Sequence, residues 1–184
     1  MELNSSYKIC LILINQKLHV RAIAKLLQTN HMTILRALKE LTTKNIIDFE
    51  EIGRNKTYYL KKTIEAKSFV ISSEMFKARE TIEKYPSLRR IIGSIQQNQK
   101  IKVALIFGSY AKGTVKENSD IDIYIETNNL QVKREVEIID SRASVKIGKF
   151  DETTPLGKEI MMNHAIIKGA EQFYENKSIF KDII

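Results

Sequence analysis

A chain of 184 residues, 43% of them hydrophobic, can bury one ordinary core or two small ones, and its longest apolar run, Ile9 to Ile14, is too short to cross a bilayer. The single cysteine, Cys10, excludes an internal disulfide and a cysteine-based metal site, and its place inside that run reads as a small buried hydrophobe. The net charge of +8 is uneven, with 18 Lys+Arg against 9 Asp+Glu in residues 1–100 and 12 against 13 in residues 101–184, so any footprint for a polyanion lies in the first part.

Ser5 and Ser6 can cap a helix through Tyr7, Ile9 and Leu13, followed by an extended stretch, Leu18-His19-Val20. A second helix is expected over Arg21 to Leu27, with Ile23, Leu26 and Leu27 on one face. After Gln28-Thr29-Asn30, where Asn30 or Thr29 serves as N-cap, a third helix runs from His31 to Thr42 with Ile34, Leu35, Leu38 and Leu41 inward. Two strands, Ile46 to Ile52 and Thr57 to Leu60, join through Gly53-Arg54-Asn55-Lys56, where glycine and asparagine tolerate the positive φ of a tight hairpin. This order is that of a winged helix. Residues 61–100 are polar and helical in pattern, interrupted at Tyr85-Pro86. The pattern then changes to a strand (Val103 to Phe107), a Gly/Ser turn, an alternating strand (Asp120 to Glu126), a helix (Leu130 to Arg142) and a strand (Ser144 to Phe150). The rest reads as helical up to Gln172-Phe173-Tyr174.

Phosphate chemistry is concentrated between Gly108 and Asp122. Glycine after a buried strand lets the backbone approach a phosphate, and Ser109 adds a hydroxyl at the start of the following helix, whose free N–H groups favour an anion. Asp120 and Asp122, two apart on a strand, project from one face, and paired carboxylates are hard-oxygen ligands for Mg²⁺. The run Gly108-Ser109-Tyr110-Ala111-Lys112-Gly113-Thr114, with Asn118-Ser119-Asp120-Ile121-Asp122, resembles the nucleotidyltransferases of the DNA polymerase β superfamily, its minimal stand-alone members above all, and the likeness extends loosely from Val103 to Glu175. The resemblance implies nucleoside triphosphate binding, ATP foremost, at Gly108 and Ser109, a phosphate contact from Lys112, and Mg²⁺ or Mn²⁺ on the catalytic pair Asp120 and Asp122. It also implies a third carboxylate on the next strand, where this chain has Val145-Lys146-Ile147. A lysine directed at the metals would repel them, two charges ~4 Å apart interacting by about 4 kcal/mol at an effective dielectric near 20. Glu137, Asp140 and Asp151 are the nearby substitutes in sequence.

Residues 5 to 60 resemble archaeal and bacterial winged helix-turn-helix regulators in pattern. The outward face of the third helix offers Thr33, Arg36 and Lys39 to DNA, with Glu40 a poorer fit, and Arg54 and Lys56 at the hairpin tip can reach phosphates or the minor groove. His19, His31 and His164 have no partner at metal spacing and read as caps, surface groups or satisfied interior groups, and Tyr58-Tyr59 as strand packing. The expected fold class is α+β, with a winged helix over 1–62, a helical connector over 63–100 and an α/β nucleotidyltransferase domain with a small mixed sheet over 101–184. The expected partners are DNA, a nucleotide and, through the resemblance, a protein acceptor or a small helical toxin; winged helices commonly dimerise, which leaves a homodimer open. With no apolar leader or span, the expected location is the cytoplasm. Two functions stand side by side: transfer of a nucleoside monophosphate to an acceptor, and DNA-binding regulation by a chain whose transferase fold has become a nucleotide sensor or an antitoxin-like binding module.

Overall fold

Side-chain caps set the helices of the first part of the chain. The computed structural model describes residues 2–53, 55–177 and 180, and its residues divide into two units, the first reaching Glu74 and the second comprising Met75–Asn176. In the first unit α1 spans Glu2–Leu13, so Ser5 and Ser6 lie inside the helix and not at its cap, with Ser6 buried. Strand β1 (Leu18–His19) leads into α2 (Val20–Leu26), and His19 caps α2 by accepting the Ala22 N–H on Nδ1 at 3.0 Å. Asn30 accepts the Met32 N–H at 2.7 Å and starts α3 (His31–Thr43). Ile34, Leu38 and Leu41 are buried there together with Ala37, while Leu35 is half-buried. Leu26, expected to face inward, is exposed: a helix of seven residues turns only its Ile23 side to α3, and Leu26 falls past that edge.

β2 (Ile47–Ile52) and β3 (Asn55–Leu60) form an antiparallel hairpin, and β1 adds to β3 to give the sheet order β1-β3-β2. The second strand begins at Asn55, two residues earlier than the spacing suggests, so Lys56 stands in the ladder opposite Glu51. Gly53 supplies the positive φ of the turn, at +62°. Three helices followed by a hairpin, with β1 between the first two helices, is the winged-helix order. Cys10 is fully buried here, and burial pushes its thiol up to about 12, which leaves it inert.

The expected connector is shared between the units. α4 (Ile64–Lys84) crosses the boundary at Glu74/Met75 and ends, as the sequence predicts, at Tyr85-Pro86. A short 3₁₀ turn (Pro86–Leu88) then leads into α5 (Arg89–Gln97), whose Ile91, Ile92 and Ile95 are buried in the core of the second unit. That unit is built on a four-stranded mixed sheet, order β6-β5-β4-β7, from β4 (Ala104–Ile106), β5 (Ile121–Glu126), β6 (Ala143–Gly148) and β7 (Ala165–Lys168). β4 is antiparallel to β5 and β7, and β5 is parallel to β6. α7 (Leu130–Glu137), shorter than expected, supplies the β5–β6 crossover and buries Val132 and Val136.

Strand alternation gives β5 two different faces. Ile121, Ile123 and Ile125 point into the cluster formed with α5 and α7, each contributing about 1.5–3 kcal/mol by burial. Asp122 and Tyr124 point the other way, where Tyr124 meets Phe150 edge-on at 5.8 Å and Phe150 meets Phe173 at 5.1 Å. Helices α8 (Pro155–Met162) and α9 (Ala170–Asn176) complete the unit. The expectation of continuous helix after Phe150 is corrected by β7, and Gln172-Phe173-Tyr174 lies within α9. No helix among the described residues is long and apolar enough to cross a membrane.

Candidate nucleotide site

A buried strand, one tight turn and one short helix position the candidate phosphate-binding residues. β4 ends at Ile106, and the Phe107 N–H then bonds the Asp122 carbonyl at 3.0 Å, pinning the turn to β5. Gly108 has φ +64°, a conformation few other residues adopt, and opens α6 (Gly108–Lys112). A Cβ at Gly108 would overlap Oδ2 of Asp122 and lie 3.0 Å from its Cγ. The carboxylate of Asp122 therefore packs directly on the Gly-Ser turn. α6 is held from below by Tyr110, buried in the core, edge-on to Tyr85 at 5.0 Å and within 3.5 Å of the Arg142 guanidinium. Its end is fixed by Gly113 at φ +76°.

The charges around Asp122 oppose one another. Burial first, then the negative charges of Asp120 and Glu159, raise the Asp122 carboxyl above its ordinary range, while Lys146 and Lys112 pull it down. Asp120, exposed, stands one residue before β5. Lys112 Nζ bonds Glu159 Oε1 of α8 at 3.0 Å. In the parallel β5–β6 ladder Ser144 is opposite Asp122 and Lys146 opposite Tyr124, so Lys146 shares the face of Asp122, and its charge is felt there.

The three substitute carboxylates are engaged locally. Glu137 accepts the Val145 N–H at 3.4 Å and pairs with Lys133, Asp140 is bonded to Arg142, and Asp151 accepts from the backbone and hydroxyl of Thr153. Among the described residues no three His, Cys, Asp or Glu side chains gather closely enough to form a ready-made metal cage. A half-buried carboxylate whose proton affinity is raised by burial first, and then by the neighbouring Asp120, nevertheless fits a hard divalent ion. Mg²⁺ is commonly held by one or two carboxylates, with phosphates and water completing its shell. Asp120 and Asp122 would hold it.

In the first unit, α3 presents Arg36 and Lys39 exposed and Thr33 half-buried, while Glu40 is paired with Lys44 one turn on. The hairpin is less free than its charges suggest. Lys56 Nζ sits 3.9 Å over the Phe49 ring, and Lys17 bridges Glu50 at 3.1 Å and the Tyr59 ring at 5.0 Å. Arg54 lies outside the described residues. An open depression of about 600 Å³ between α2 and α3 is lined by Arg21, Lys25, Gln28 and His31, of which Arg21 and Lys25 add positive charge that the outward face of α3 alone does not reveal.

The arrangement of the second unit has relatives. Residues 89–179 match the family Polymerase beta, Nucleotidyltransferase. The matched span opens at the first residue of α5, in keeping with the burial of that helix in the core of the second unit. A protein of Methanocaldococcus jannaschii, whose name proposes a protein adenylyltransferase, is 51% identical over 39 residues, 21% of this chain and 45% of that protein. The chain thus matches less than half the length of that relative. A crystal structure of the adhesin competence repressor of Streptococcus pyogenes superposes with a TM-score of 0.39 at 22% identity, covering 47% of this chain and 64% of that one.

A side chain beside the candidate site that the sequence does not single out is Glu159. It lies far along the chain on α8, outside the Gly108–Asp122 motif, and only the fold brings it to Lys112. Thr154 caps α8 through the Gly157 N–H at 3.0 Å, and a Cβ on Gly157 would overlap the Asp151 carbonyl, so this turn and helix start are closely fitted.

Proposed function

We propose that the nucleotidyltransferase domain transfers a nucleoside monophosphate, AMP foremost, from a triphosphate to an acceptor hydroxyl, and that the first unit binds DNA. The observation that carries this reading is the packing of the Asp122 carboxylate on the Gly108 backbone, which supports the Gly-Ser turn as a phosphate site and Asp122 beside it as a metal ligand. In this reading the Gly108 and Ser109 amides and the Ser109 hydroxyl hold the terminal phosphates, and Lys112 neutralises them. Asp120 and Asp122 hold the divalent ion, which when bound offsets the charge that grows on the α-phosphate and on the leaving group. The acceptor oxygen bonds the α-phosphorus, the bond from that phosphorus to the α–β bridging oxygen breaks, and pyrophosphate leaves. The hydroxyl proton passes to water or a neighbouring carboxylate. The name of the Methanocaldococcus relative supports a protein hydroxyl as the acceptor. On α3, Arg36 supplies bidentate base contact, with Thr33 and Lys39 beside it, and Lys56 reaches the backbone.

Lys146 supports a second reading, in which the same pocket binds nucleotide without turning it over and the chain acts as a DNA-binding sensor or as the partner of a helical toxin. Its charge lies on the carboxylate face where an acidic group would assist the metal. Incubation with α-labelled ATP, Mg²⁺ and candidate protein acceptors separates the two. The enzyme reading expects label on the acceptor and a drop of at least about 100-fold in Asp120→Ala, the scale of removing one electrostatic contributor to a charged transition state. Retained ATP binding with no label on any acceptor would favour the sensor.

A further inference from the structure

We propose that Glu159 is the third acidic group of the nucleotide site, held by Lys112 when no nucleotide is bound and released toward the divalent ion when a triphosphate takes Lys112. This rests on the nucleotide-binding reading above. Glu159 is bonded directly to the phosphate-binding helix, through the 3.0 Å bond from Lys112. Its neighbour Ile160 is fully buried and anchors α8, while the Glu159 and Lys112 side chains are 44% and 42% exposed, so both can swing without unpacking the helix. The negative charge of Glu159 is also felt at Asp122, so its reach extends to the metal-binding face. Glu137, Asp140 and Asp151 are each occupied near their own turns.

The pair has a consequence for linkage. An exposed lysine–carboxylate bridge is weak, and a triphosphate carrying several charges displaces the carboxylate from Lys112. The freed Glu159 then adds a third negative charge beside Asp120 and Asp122, which penalises the nucleotide alone and favours the nucleotide together with a cation. Triphosphate and divalent ion therefore bind with a positive coupling, of which Glu159 carries a share beyond the direct attraction of the phosphates for the cation.

Calorimetric titration of the full chain with ATP, with Mg²⁺ and with EDTA in its place, tests this. Glu159→Gln is expected to tighten metal-free ATP binding by about 3- to 10-fold, as Lys112 becomes free and one repelling charge is lost, and to shrink the Mg²⁺-dependent gain in affinity by a similar factor. Lys112→Met is expected to raise the affinity for Mn²⁺ without nucleotide, read from the loss of its free-ion electron paramagnetic resonance signal. A Glu159→Gln variant whose ATP affinity changes equally with and without Mg²⁺ would overturn the role of Glu159 and leave the nucleotide site standing. Absence of ATP binding to the unmodified protein under both conditions would overturn the site and this proposal together.

Discussion

In the second unit the candidate nucleotide site is built around a carboxylate packed on backbone, whereas in the first unit the candidate DNA-binding side chains stand apart along one exposed helix face. The first arrangement is close-packed: the Asp122 carboxylate touches Gly108, Phe107 N–H holds the Asp122 carbonyl, and Tyr110 anchors α6 in the core. The second is modular, because Arg36 and Lys39 project from a helix whose stability comes from Ile34, Ala37, Leu38 and Leu41 on the opposite side. A single methyl group should therefore be ruinous in one region, while in the other the loss of a whole side chain should be local and graded. Gly108→Ala has the largest expected effect. It adds a methyl where a carboxylate already lies and forces an alanine to φ +64°, a conformational cost of about 1–3 kcal/mol before any clash is relieved. Mg²⁺-dependent ATP binding should fall below detection in calorimetry, and the midpoint of thermal unfolding should drop. A variant that binds ATP with unaltered affinity would mean that the turn is not the phosphate site.

Arg36→Ala should act more mildly and on DNA alone. Loss of a bidentate base contact costs about 1–3 kcal/mol of discrimination, or roughly 5- to 150-fold against the preferred sequence, with folding and ATP binding unchanged. Lys56 provides the contrast. Because its ammonium group rests on the Phe49 ring with Glu51 across the ladder, Lys56→Ala should weaken binding less than Arg36→Ala and by the same factor on every sequence. Gel-shift titrations on a selected site and on random duplex, repeated at two salt concentrations, distinguish base reading from phosphate neutralisation. Equal losses on both duplexes for Arg36→Ala would remove α3 as a sequence reader.

The same contrast explains what a linear reading can reach. The approach of Gly108 to Asp122 is within reach of a linear reading because each stands beside a strand that its own pattern identifies, and the antiparallel pairing of β4 with β5 brings the two together across α6 and the loop after it. The helices of the first unit are legible because Asn30 caps α3 and apolar residues recur at its helical period. Glu159 was not, since its meeting with Lys112 depends on how α8 packs, and no local rule links a glutamate on one helix to a lysine on another. β7 was missed for a different reason. Ala165-Ile166-Ile167 is buried on both faces and therefore lacks the alternation that identifies a strand, so a short apolar run there reads equally as helix. The seat of the Lys56 ammonium on the Phe49 ring is likewise beyond a linear reading, because it depends on how β2 and β3 pair.

Asp140 supplies the smallest predicted effect and shows how far the rigidity of the close-packed site depends on its neighbours. Its carboxylate accepts from the Arg142 side chain at 2.9 and 3.1 Å and from the Arg142 backbone N–H at 3.0 Å, and the same guanidinium approaches the Tyr110 hydroxyl beneath α6. Those bonds, the side-chain ones first, hold the Asp140 carboxyl below the usual aspartate range. A carboxyl depressed in the folded protein binds fewer protons there than in the unfolded chain. Its contribution to stability is therefore present above the unfolded value of about 3.9 and lost as the pH falls through the lower folded value. Asp140→Asn should cost on the order of 1 kcal/mol in urea unfolding at neutral pH and progressively less as the solution is acidified below pH ~4. A loss that stays constant across that range would assign the effect to the shape of the turn and not to its charge. In that case Arg142 would steady α6 by packing alone, and the rigidity of the Gly108 turn would have to come chiefly from Tyr110 and the β4–β5 ladder.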